Sequence, residues 1–354
     1  MSVGYVRGID GLRGVAVTVV MLFHFYPLVF TGGFVGVDVF FVISGFLITL
    51  IFIDEKNKSG HINIKNFILK RAIRLVPAML VMLIFLSIWQ YITLTSIAFE
   101  NYSYEFLSAV FYVSNWVRAF DVHAMPYLGH TWSLSIEEQF YILWPLLFLV
   151  MTKHRSYSEL LALVCLLFCL VAVYRYVSID QHIYSIKRLY NGFDTRADSL
   201  LTGCILALLV SGENSLKFLR SVNVSWQKKI ILLASLFMLL ATTLFVWYES
   251  YVYKYGLLLV YLASAALIAV IYLKGDSFDT PFEHPVVVYV GKISYGLYLW
   301  HYPVFKLSKA HYGDGIGVLV WSVTLVFIAA ILSFKFVESP LRELLRKRFS
   351  LGLA

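Results

Sequence analysis

Apolar runs about 20 residues long recur along this 354-residue chain and constrain its fold more than any other feature. A helix needs about 20 mostly apolar residues to cross the hydrocarbon core of a bilayer. Ten runs approach or reach that length, at 14–30, 34–53, 75–98, 134–151, 160–177, 198–211, 230–248, 256–273, 293–309 and 315–334. The sixth is short and interrupted by Gly203, and the apolar stretch 106–117 is short enough to lie in the membrane interface. The prediction is an all-α, polytopic transmembrane bundle of about ten helices.

The composition excludes most other classes of protein. Only 14% of the residues are charged, against roughly 25% in a soluble domain. Disorder, a coiled coil and a disulfide-stapled secreted domain do not fit a chain that is 60% apolar. The three cysteines lie inside apolar runs, so they are predicted to pack as small apolar residues. We therefore predict no disulfide and no metal site.

The distribution of lysine and arginine predicts the orientation. If the N-terminus is cytoplasmic and ten helices alternate, roughly three-quarters of the 29 basic residues fall on the inner side. Both termini are then cytoplasmic, with a transmembrane domain over 1–342 and a basic tail over 343–354. The excess of lysine and arginine on the cytoplasmic side explains the net charge of +8, so no nucleic-acid partner is predicted.

Ionisable residues inside a membrane helix are costly and are candidates for function. Arg13 and His24 lie eleven residues apart in the first run and project from one helix face, about 16 Å apart along the axis. Arg13 is then near the inner leaflet and His24 past the middle toward the outside. The alternative is a structural histidine that bonds a backbone carbonyl.

Asp38 lies near the outer end of the second run, at a depth similar to that of His24 if the two helices form a tight hairpin. A carboxylate bonded to His24 would set its tautomer and raise its basicity, as a general base requires. Capping of the helix start by Asp38 is the equally weighted alternative.

Arg71 and Arg74 are spaced i, i+3 at the cytoplasmic boundary of the third run. Paired guanidinium groups suit the phosphate oxygens of a cytosolic cofactor. Anchoring of the helix by charge, or binding of anionic lipid, is the plainer explanation.

Further polar residues lie in or just before three later runs. Glu137 and Glu138 are adjacent and point about 100° apart, so at most one faces the protein interior comfortably. A buried glutamate can orient a substrate hydroxyl, bind an arginine or share a proton. Arg196 precedes the sixth run closely, and Ser294 and His301 lie in the ninth. Each of these also fits an interface anchor or a hydrogen bond between helices.

Seven motifs, taken in order, resemble those of the acyltransferase-3 family of membrane acyltransferases. They are RGIDGLRGVAVTVVMLFHF, GGFVGVDVFFVISGFLIT, FILKRAIRLVPA, HTWSLSIEEQFYILWP, DTRADSLLTG, GKISYGLYLWHYP and FVESP. The resemblance extends from about residue 5 to 342, and the ten-helix membrane domain of the family agrees with the count of apolar runs. The motifs of the family fall on Arg13 and His24, on Arg71 and Arg74, and on Trp132, Ser133, Leu134 and Glu137.

The resemblance implies transfer of an acyl group, usually acetyl, from cytosolic acetyl-CoA to a carbohydrate hydroxyl on the outer side of a bacterial inner membrane. We expect Arg71, Arg74 and Arg13 to hold the CoA phosphates. The expected acceptor is a surface or lipid-linked glycan, which includes O-antigen of lipopolysaccharide, exopolysaccharide and peptidoglycan, and membrane lipids are the other partner. Some members carry an added SGNH-type domain; since this sequence ends without one, the membrane domain is expected to complete the transfer.

For catalysis we expect His24, polarised by Asp38 or Glu137, to act as general base or to carry the acyl group itself. The expected substrate contacts are Trp132, Ser133, Arg196, Ser294 and His301. A secondary transporter or flippase is the main alternative, because buried charges also mark transport pathways, although the two halves show no internal repeat. A binding or sensory membrane protein is the other.

Overall fold

A computed structural model of the protein describes residues 4–93, 96–153, 155–275, 277–313 and 315–350. These residues form helices and connecting segments, with no β-strand among them. The α-helices are α1 (Arg7–Phe25), α2 (Val35–Ser59), α3 (Ile64–Thr93), α4 (Ser96–Val110), α5 (Ser114–Ala119), α6 (Thr131–Thr152), α7 (Tyr157–Asp180), α8 (Ile186–Asn191), α9 (Phe193–Ser211), α10 (Glu213–Ser221), α11 (Val224–Leu244), α12 (Leu257–Leu273), α13 (Pro285–Lys292), α14 (Ser294–Tyr312), α15 (Ile316–Ser333) and α16 (Ser339–Ser350). Short π-helical segments at Val252–Gly256 and Phe334–Glu338 lead into α12 and α16, and a 3-10 turn spans Pro281–Glu283.

Eight helices in the described ranges are long and apolar enough to cross a membrane. They are α1, α2, α3, α6, α7, α11, the continuous segment Val252–Leu273 and the continuous segment Ile316–Leu344. The helices α9 and α10 meet at an angle of 91° and would add a ninth span if the pair counts as one. The predicted ninth run lies on α14, which is less apolar than the others. The predicted all-α, polytopic membrane architecture is therefore confirmed. The apolar stretch 106–117 is divided between the short helices α4 and α5.

Local sequence explains several helix ends. The helix α1 stops at Phe25 because Pro27 follows two residues later and disfavours helical geometry in the residue before it. Gly60 ends α2 in the left-handed conformation, at φ 75°, which glycine adopts without strain. The start of α7 is capped by Ser156 and Glu159, whose side chains each bond the backbone N–H of the other.

The chain forms two compact units. The first comprises residues 1–62 and 143–292, and the second comprises 63–142 and 293–354. The predicted transmembrane domain over 1–342 therefore contains most of both, and α16 continues into the predicted tail.

Within the first unit, α2 and α9 pack backbone against backbone through two glycines. A Cβ atom at Gly45 would lie 1.9 Å from the carbonyl oxygen of Leu200, and one at Gly203 would lie 2.1 Å from a carbonyl oxygen of α2. Small residues allow this approach between membrane helices. Asp38 and Arg196, which contact each other, are 158 residues apart in the sequence, and Gly45 and Gly203 are also 158 residues apart. The two helices therefore run in the same direction, as the second and sixth of a series of alternating spans would.

Candidate functional site

Arg13 and His24 both lie on α1 and both are partly buried. The Nη1 atom of Arg13 is 4.0 Å from a carboxylate oxygen of Asp10, and the guanidinium group lies 6.0 Å from the centre of the Phe40 ring. One side of α1 packs closely on α13, since a Cβ at Gly14 would lie 2.4 Å from a carbonyl oxygen there. A small residue of α1 thus allows this helix to pack closely against α13 in the first unit.

The ring of His24 is oriented by its own helix. Its Nδ1 atom lies 3.0 Å from the carbonyl oxygen of Val20, one turn earlier. A carbonyl only accepts hydrogen bonds, so Nδ1 carries the proton and Nε2 carries the lone pair in the neutral ring. This bond is the one expected of a structural histidine, and it also sets the tautomer that a general base at Nε2 needs.

Asp38 pairs with Arg196. The Nη2 atom of Arg196 donates to Oδ1 of Asp38 over 2.5 Å, and both side chains are fully buried. The other carboxylate oxygen of Asp38 accepts no hydrogen bond from the described residues. Asp38 therefore neutralises a buried cation and does not bond His24, and it does not cap α2, whose N-cap position is Phe34. The structure thus pairs Asp38, which was predicted to be catalytic, with Arg196, which was predicted to contact the substrate.

Two more arginines hold the first turn of α9. Arg175 forms an ion pair with Asp198 and donates to the backbone carbonyl of Thr195 over 2.9 Å. Arg188 binds both carboxylate oxygens of Asp194, at 2.9 and 2.7 Å. Neither arginine was predicted as part of a site. The signal was present in the sequence, because Arg175 is a charged residue at the end of an apolar run and two aspartates flank Arg196 at equal spacing.

In the second unit, the Arg71 side chain lies over the ring of Tyr141 on α6, at 4.7 Å from its centre. Glu138, one turn before Tyr141, is close enough to Arg71 for the two charges to attract each other. Arg74 is half-buried one turn further along α3. With 30 residues, α3 is about 45 Å long, more than the roughly 30 Å hydrocarbon core, so its first turns can extend outside the membrane.

Ser133 and His301 come together around Tyr298. The hydroxyl of Tyr298 donates to the backbone carbonyl of His130 over 3.0 Å and accepts from the hydroxyl of Ser133. The Nδ1 atom of His301 donates to the carbonyl oxygen of Tyr298 over 2.7 Å, which leaves the lone pair of that ring on Nε2. The His130 ring stacks on Tyr302, with 5.1 Å between ring centres. These five residues form a polar and aromatic cluster in the second unit, in which Tyr302 is half-buried and the other four are buried.

His130 and Tyr298 were not predicted. His130 lies just before the Trp-Ser motif, and Tyr298 lies one helical turn before His301 in GKISYGLYLWHYP. Trp132 is buried, at 4% exposure, and Ser294 is fully buried with a hydroxyl that bonds no described residue. Among the described residues no group of three or more His, Cys, Asp or Glu side chains could hold a metal ion.

Glu105 positions the loop that leads to this cluster. Its side chain is 2% exposed, and one carboxylate oxygen accepts the backbone N–H groups of Tyr127 and Leu128 at 2.9 and 2.8 Å. The residue lies on α4, which is not one of the membrane-spanning helices. Burial raises the pKa of Glu105 to about 7.

This pKa predicts a pH dependence of stability. The unfolded carboxyl group loses its proton near its ordinary pKa of about 4.3, whereas the folded one keeps it until about pH 7. Between these values the folded state binds more protons, so the free energy of unfolding falls as pH rises. Glu105→Gln should remove this fall, which thermal unfolding of purified protein across that pH range would measure. Glu249→Gln, at an exposed site, is the control, and an unchanged pH profile in Glu105→Gln would contradict the assignment.

Comparison with known proteins gives consistent matches. The acyltransferase-3 family, described as an acyltransferase domain, matches residues 6–337. The chain is 34% identical to the peptidoglycan O-acetyltransferase OatA of Listeria monocytogenes over 96% of this chain and 56% of the relative. It is 32% identical to the O-acetyltransferase OatA of Staphylococcus aureus over 96% of this chain and 57% of the relative. The chain thus spans a little over half the length of these relatives. No solved structure matches it.

Proposed function

Because the chain belongs to the acyltransferase-3 family, we propose that it acts as a membrane O-acyltransferase in the plasma membrane of a bacterium. It would move an acetyl group from cytosolic acetyl-CoA to a hydroxyl of a carbohydrate on the outer side. Support comes from relatives named as O-acetyltransferases, one of them for peptidoglycan, that match 96% of this chain. The observation that carries the mechanism is the His24 ring, held by Val20 so that Nε2 can accept a proton.

The proposed step is a direct acyl transfer. Nε2 of His24 takes the proton of the acceptor hydroxyl as its oxygen attacks the thioester carbonyl. The carbon–sulfur bond breaks, an ester forms, and the CoA thiolate takes a proton from the imidazolium, so that His24 returns to its neutral form. In the second route Nε2 attacks the thioester carbonyl and the carbon–sulfur bond breaks, which releases the CoA thiolate. The acceptor hydroxyl then takes the acetyl group from Nε2, and its proton passes to the thiolate, so that His24 returns to its neutral form.

On the donor side, Arg71 and Arg74 would hold CoA phosphates at the cytoplasmic end of α3. Arg13 is the third residue proposed to bind a phosphate, and the helical rise between Arg13 and His24 along α1 is about 16 Å. A pantetheine arm running beside α1 would span this interval and present the thioester to Nε2. Both termini would then face the cytoplasm, as the distribution of basic residues predicts.

The arginine pair can be tested by charge-conserving changes. Arg71→Lys and Arg74→Lys keep the positive charge but lose the planar fork that binds phosphate oxygens in bidentate fashion. We expect each to lose roughly 1–3 kcal/mol of acetyl-CoA binding, measured by calorimetry on purified protein. Lys65→Ala, near the start of the same helix, is the control. If both lysine variants bind acetyl-CoA as the wild type does, the pair serves only to anchor α3.

The function itself is tested in cells and with purified protein. Deletion of the gene should remove an O-acetyl ester from a surface glycan, as measured by mass spectrometry, and the chain should restore it. Purified protein in liposomes should transfer isotopically labelled acetyl from acetyl-CoA to the same glycan. Loss of the whole glycan from the surface, with no transfer by the purified protein, would favour the flippase or transporter alternative instead.

A further inference from the structure

A row of aromatic rings leads from His24 to an exposed loop of the first unit. The His24 ring contacts Phe23, with 5.0 Å between ring centres, and Phe23 contacts Phe34 at 5.8 Å. Phe34 contacts Tyr190 at 5.9 Å, and Tyr190 contacts Trp247 at 6.2 Å. Trp247 lies in the segment 245–251, between α11 and the π-helical segment that leads into α12. Continuous packing therefore connects the proposed general base to this loop.

Hydrogen bonds place the loop at the same end of the first unit as His24. The backbone N–H of Gly32, in the turn after α1, donates to the carbonyl oxygen of Thr242 over 3.0 Å. The hydroxyl of Thr31 donates to the carbonyl oxygen of Thr243 over 3.0 Å. Both acceptors lie in the last turn of α11. In the predicted orientation this is the outer end, because the first and seventh spans both run outward, and the acceptor would arrive from that side.

Two aromatic rings of the loop form a corner. Although the predicted run 230–248 includes both, α11 ends at Leu244, so Trp247 and Tyr248 lie outside the helix. Their ring centres are 5.8 Å apart and their planes meet at 83°, and the two residues are 38% and 59% exposed. The indole N–H of Trp247 and the hydroxyl of Tyr248 form no hydrogen bond with any described residue. We call these two side chains the aromatic corner.

Neighbouring tyrosines hold the aromatic corner in place. The hydroxyl of Tyr253, a residue that is 1% exposed, donates to the backbone carbonyl oxygen of Trp247 over 2.5 Å. The hydroxyl of Tyr251 donates to the carbonyl oxygen of Leu244 over 3.1 Å. Aromatic side chains that only anchor a helix at the membrane surface need no such fixed loop. A binding surface, in contrast, gains affinity when it is held in its bound shape beforehand.

A sugar ring has the chemistry that fits the aromatic corner. The C–H groups on one face of a pyranose pack against the negative face of an aromatic ring, and its hydroxyl groups need polar partners around the edge. Two rings at right angles can contact a face and an edge of one sugar together. The indole N–H and the Tyr248 hydroxyl supply polar partners, and the exposed Glu249 adds a carboxylate at the next position. A hydrocarbon chain would use none of these polar groups.

We propose that the aromatic corner binds one sugar unit of the acceptor and thereby selects which glycan is acetylated. A neighbouring unit of the same glycan extends toward His24, which lies at the same end of the first unit. Trp247 and Tyr248 are therefore specificity-determining residues and take no part in the transfer step. This inference rests on the proposed function, since it names residues that select its acceptor.

Steady-state kinetics of purified protein test the aromatic corner. The acceptors are oligosaccharides released from the surface glycan of the deletion strain, in which the hydroxyl is not acetylated. Trp247→Leu should raise KM for them roughly tenfold, because the aromatic face is lost, while kcat and KM for acetyl-CoA should stay within about twofold of the wild type. Trp247→Phe, which keeps an aromatic face, should restore most of the affinity. Tyr248→Ala should raise the same KM several-fold.

The matched control is Trp226→Leu. Trp226 is 57% exposed and lies at the opposite end of α11, so its loss should leave KM for the oligosaccharides unchanged. Thermal unfolding and the yield of membrane-inserted protein are measured for every variant. An unchanged KM for the oligosaccharides in Trp247→Leu and Tyr248→Ala would overturn the inference. If those variants instead show only a lower yield of inserted protein, the aromatic corner is a membrane anchor.

Direct binding separates this inference from the proposed function. Calorimetry measures binding of the same oligosaccharides to the protein without acetyl-CoA. If the wild type transfers no acetyl group but its binding of oligosaccharide depends on Trp247, the proposed function fails and the saccharide site stands. If every variant transfers acetyl with the KM of the wild type, only the inference fails. Absence of both transfer and binding defeats both.

Discussion

Replacing His24 with alanine is expected to lower acyl transfer by about 10²–10⁴-fold, the usual contribution of a general base. The protein should still fold, because the ring is only partly buried and the hydrogen bond of its Nδ1 atom is to its own helix. His24→Asn is the sharper variant, since its amide can still donate to the Val20 carbonyl but cannot take a proton. Activity is measured as labelled acetyl transferred by purified protein, with thermal unfolding of the same sample.

The control for this experiment is His61→Ala, which removes an exposed histidine bonded to the backbone of Ser59. It should keep wild-type activity. Substantial transfer by either His24 variant would remove His24 from the mechanism. Incubation of the wild type with acetyl-CoA alone, followed by mass spectrometry of the α1 peptide, distinguishes the two routes, because only the carrier route leaves an acetylated histidine.

Removing one partner of the Asp38–Arg196 pair is expected to destabilise the protein by about 3–5 kcal/mol, because the remaining charge is buried without compensation. Asp38→Leu and Arg196→Leu should therefore both lower the temperature of unfolding and the yield of folded protein. The double variant should recover much of the loss, since replacing a buried pair by apolar residues is often close to neutral.

An exposed pair gives the matched comparison. Lys217 and Glu213 are 2.8 Å apart on α10 and largely exposed, so Lys217→Ala should change stability by less than about 1 kcal/mol. If the double Leu variant is as unstable as the less stable single variant, the two side chains do not depend on each other for stability, which would contradict the ion pair's expected contribution. If it is stable but inactive, Asp38 or Arg196 acts in the reaction as well as in the fold.

Much of the architecture could be predicted because apolar length is a direct physical requirement for crossing a membrane. Each of the ten predicted runs overlaps a helix of the described residues. The limits were less predictable: α1 begins at Arg7, well before its apolar run, because Arg7, Asp10 and Arg13 are accommodated in the helix. Short helices such as α5 and α8 were missed, since six residues carry too little periodicity to indicate a helix.

The sequence indicated single candidate residues but not which of them contact each other. Helical periodicity assigned Arg13 and His24 to one face, but it does not show which helices pack together. Asp38 was therefore given His24 as a partner on the basis of depth, whereas its partner Arg196 lies 158 residues away. The meeting of Ser133 with Tyr298 is equally non-local. Trp132, Glu137 and Ser294 keep their predicted roles as hypotheses.

The common offset between α2 and α9 has a consequence for how this sequence can change over evolutionary time. Asp38 precedes Gly45 by seven residues, and Arg196 precedes Gly203 by the same number. A single residue inserted or deleted between Asp38 and Gly45, or between Arg196 and Gly203, would turn the ion-pair residue by about 100° around its helix relative to the glycine. The ion pair and the glycine contact could then not both survive. Substitutions can therefore accumulate in these two segments, but changes of length cannot, and alignments of related chains should show them as blocks without gaps.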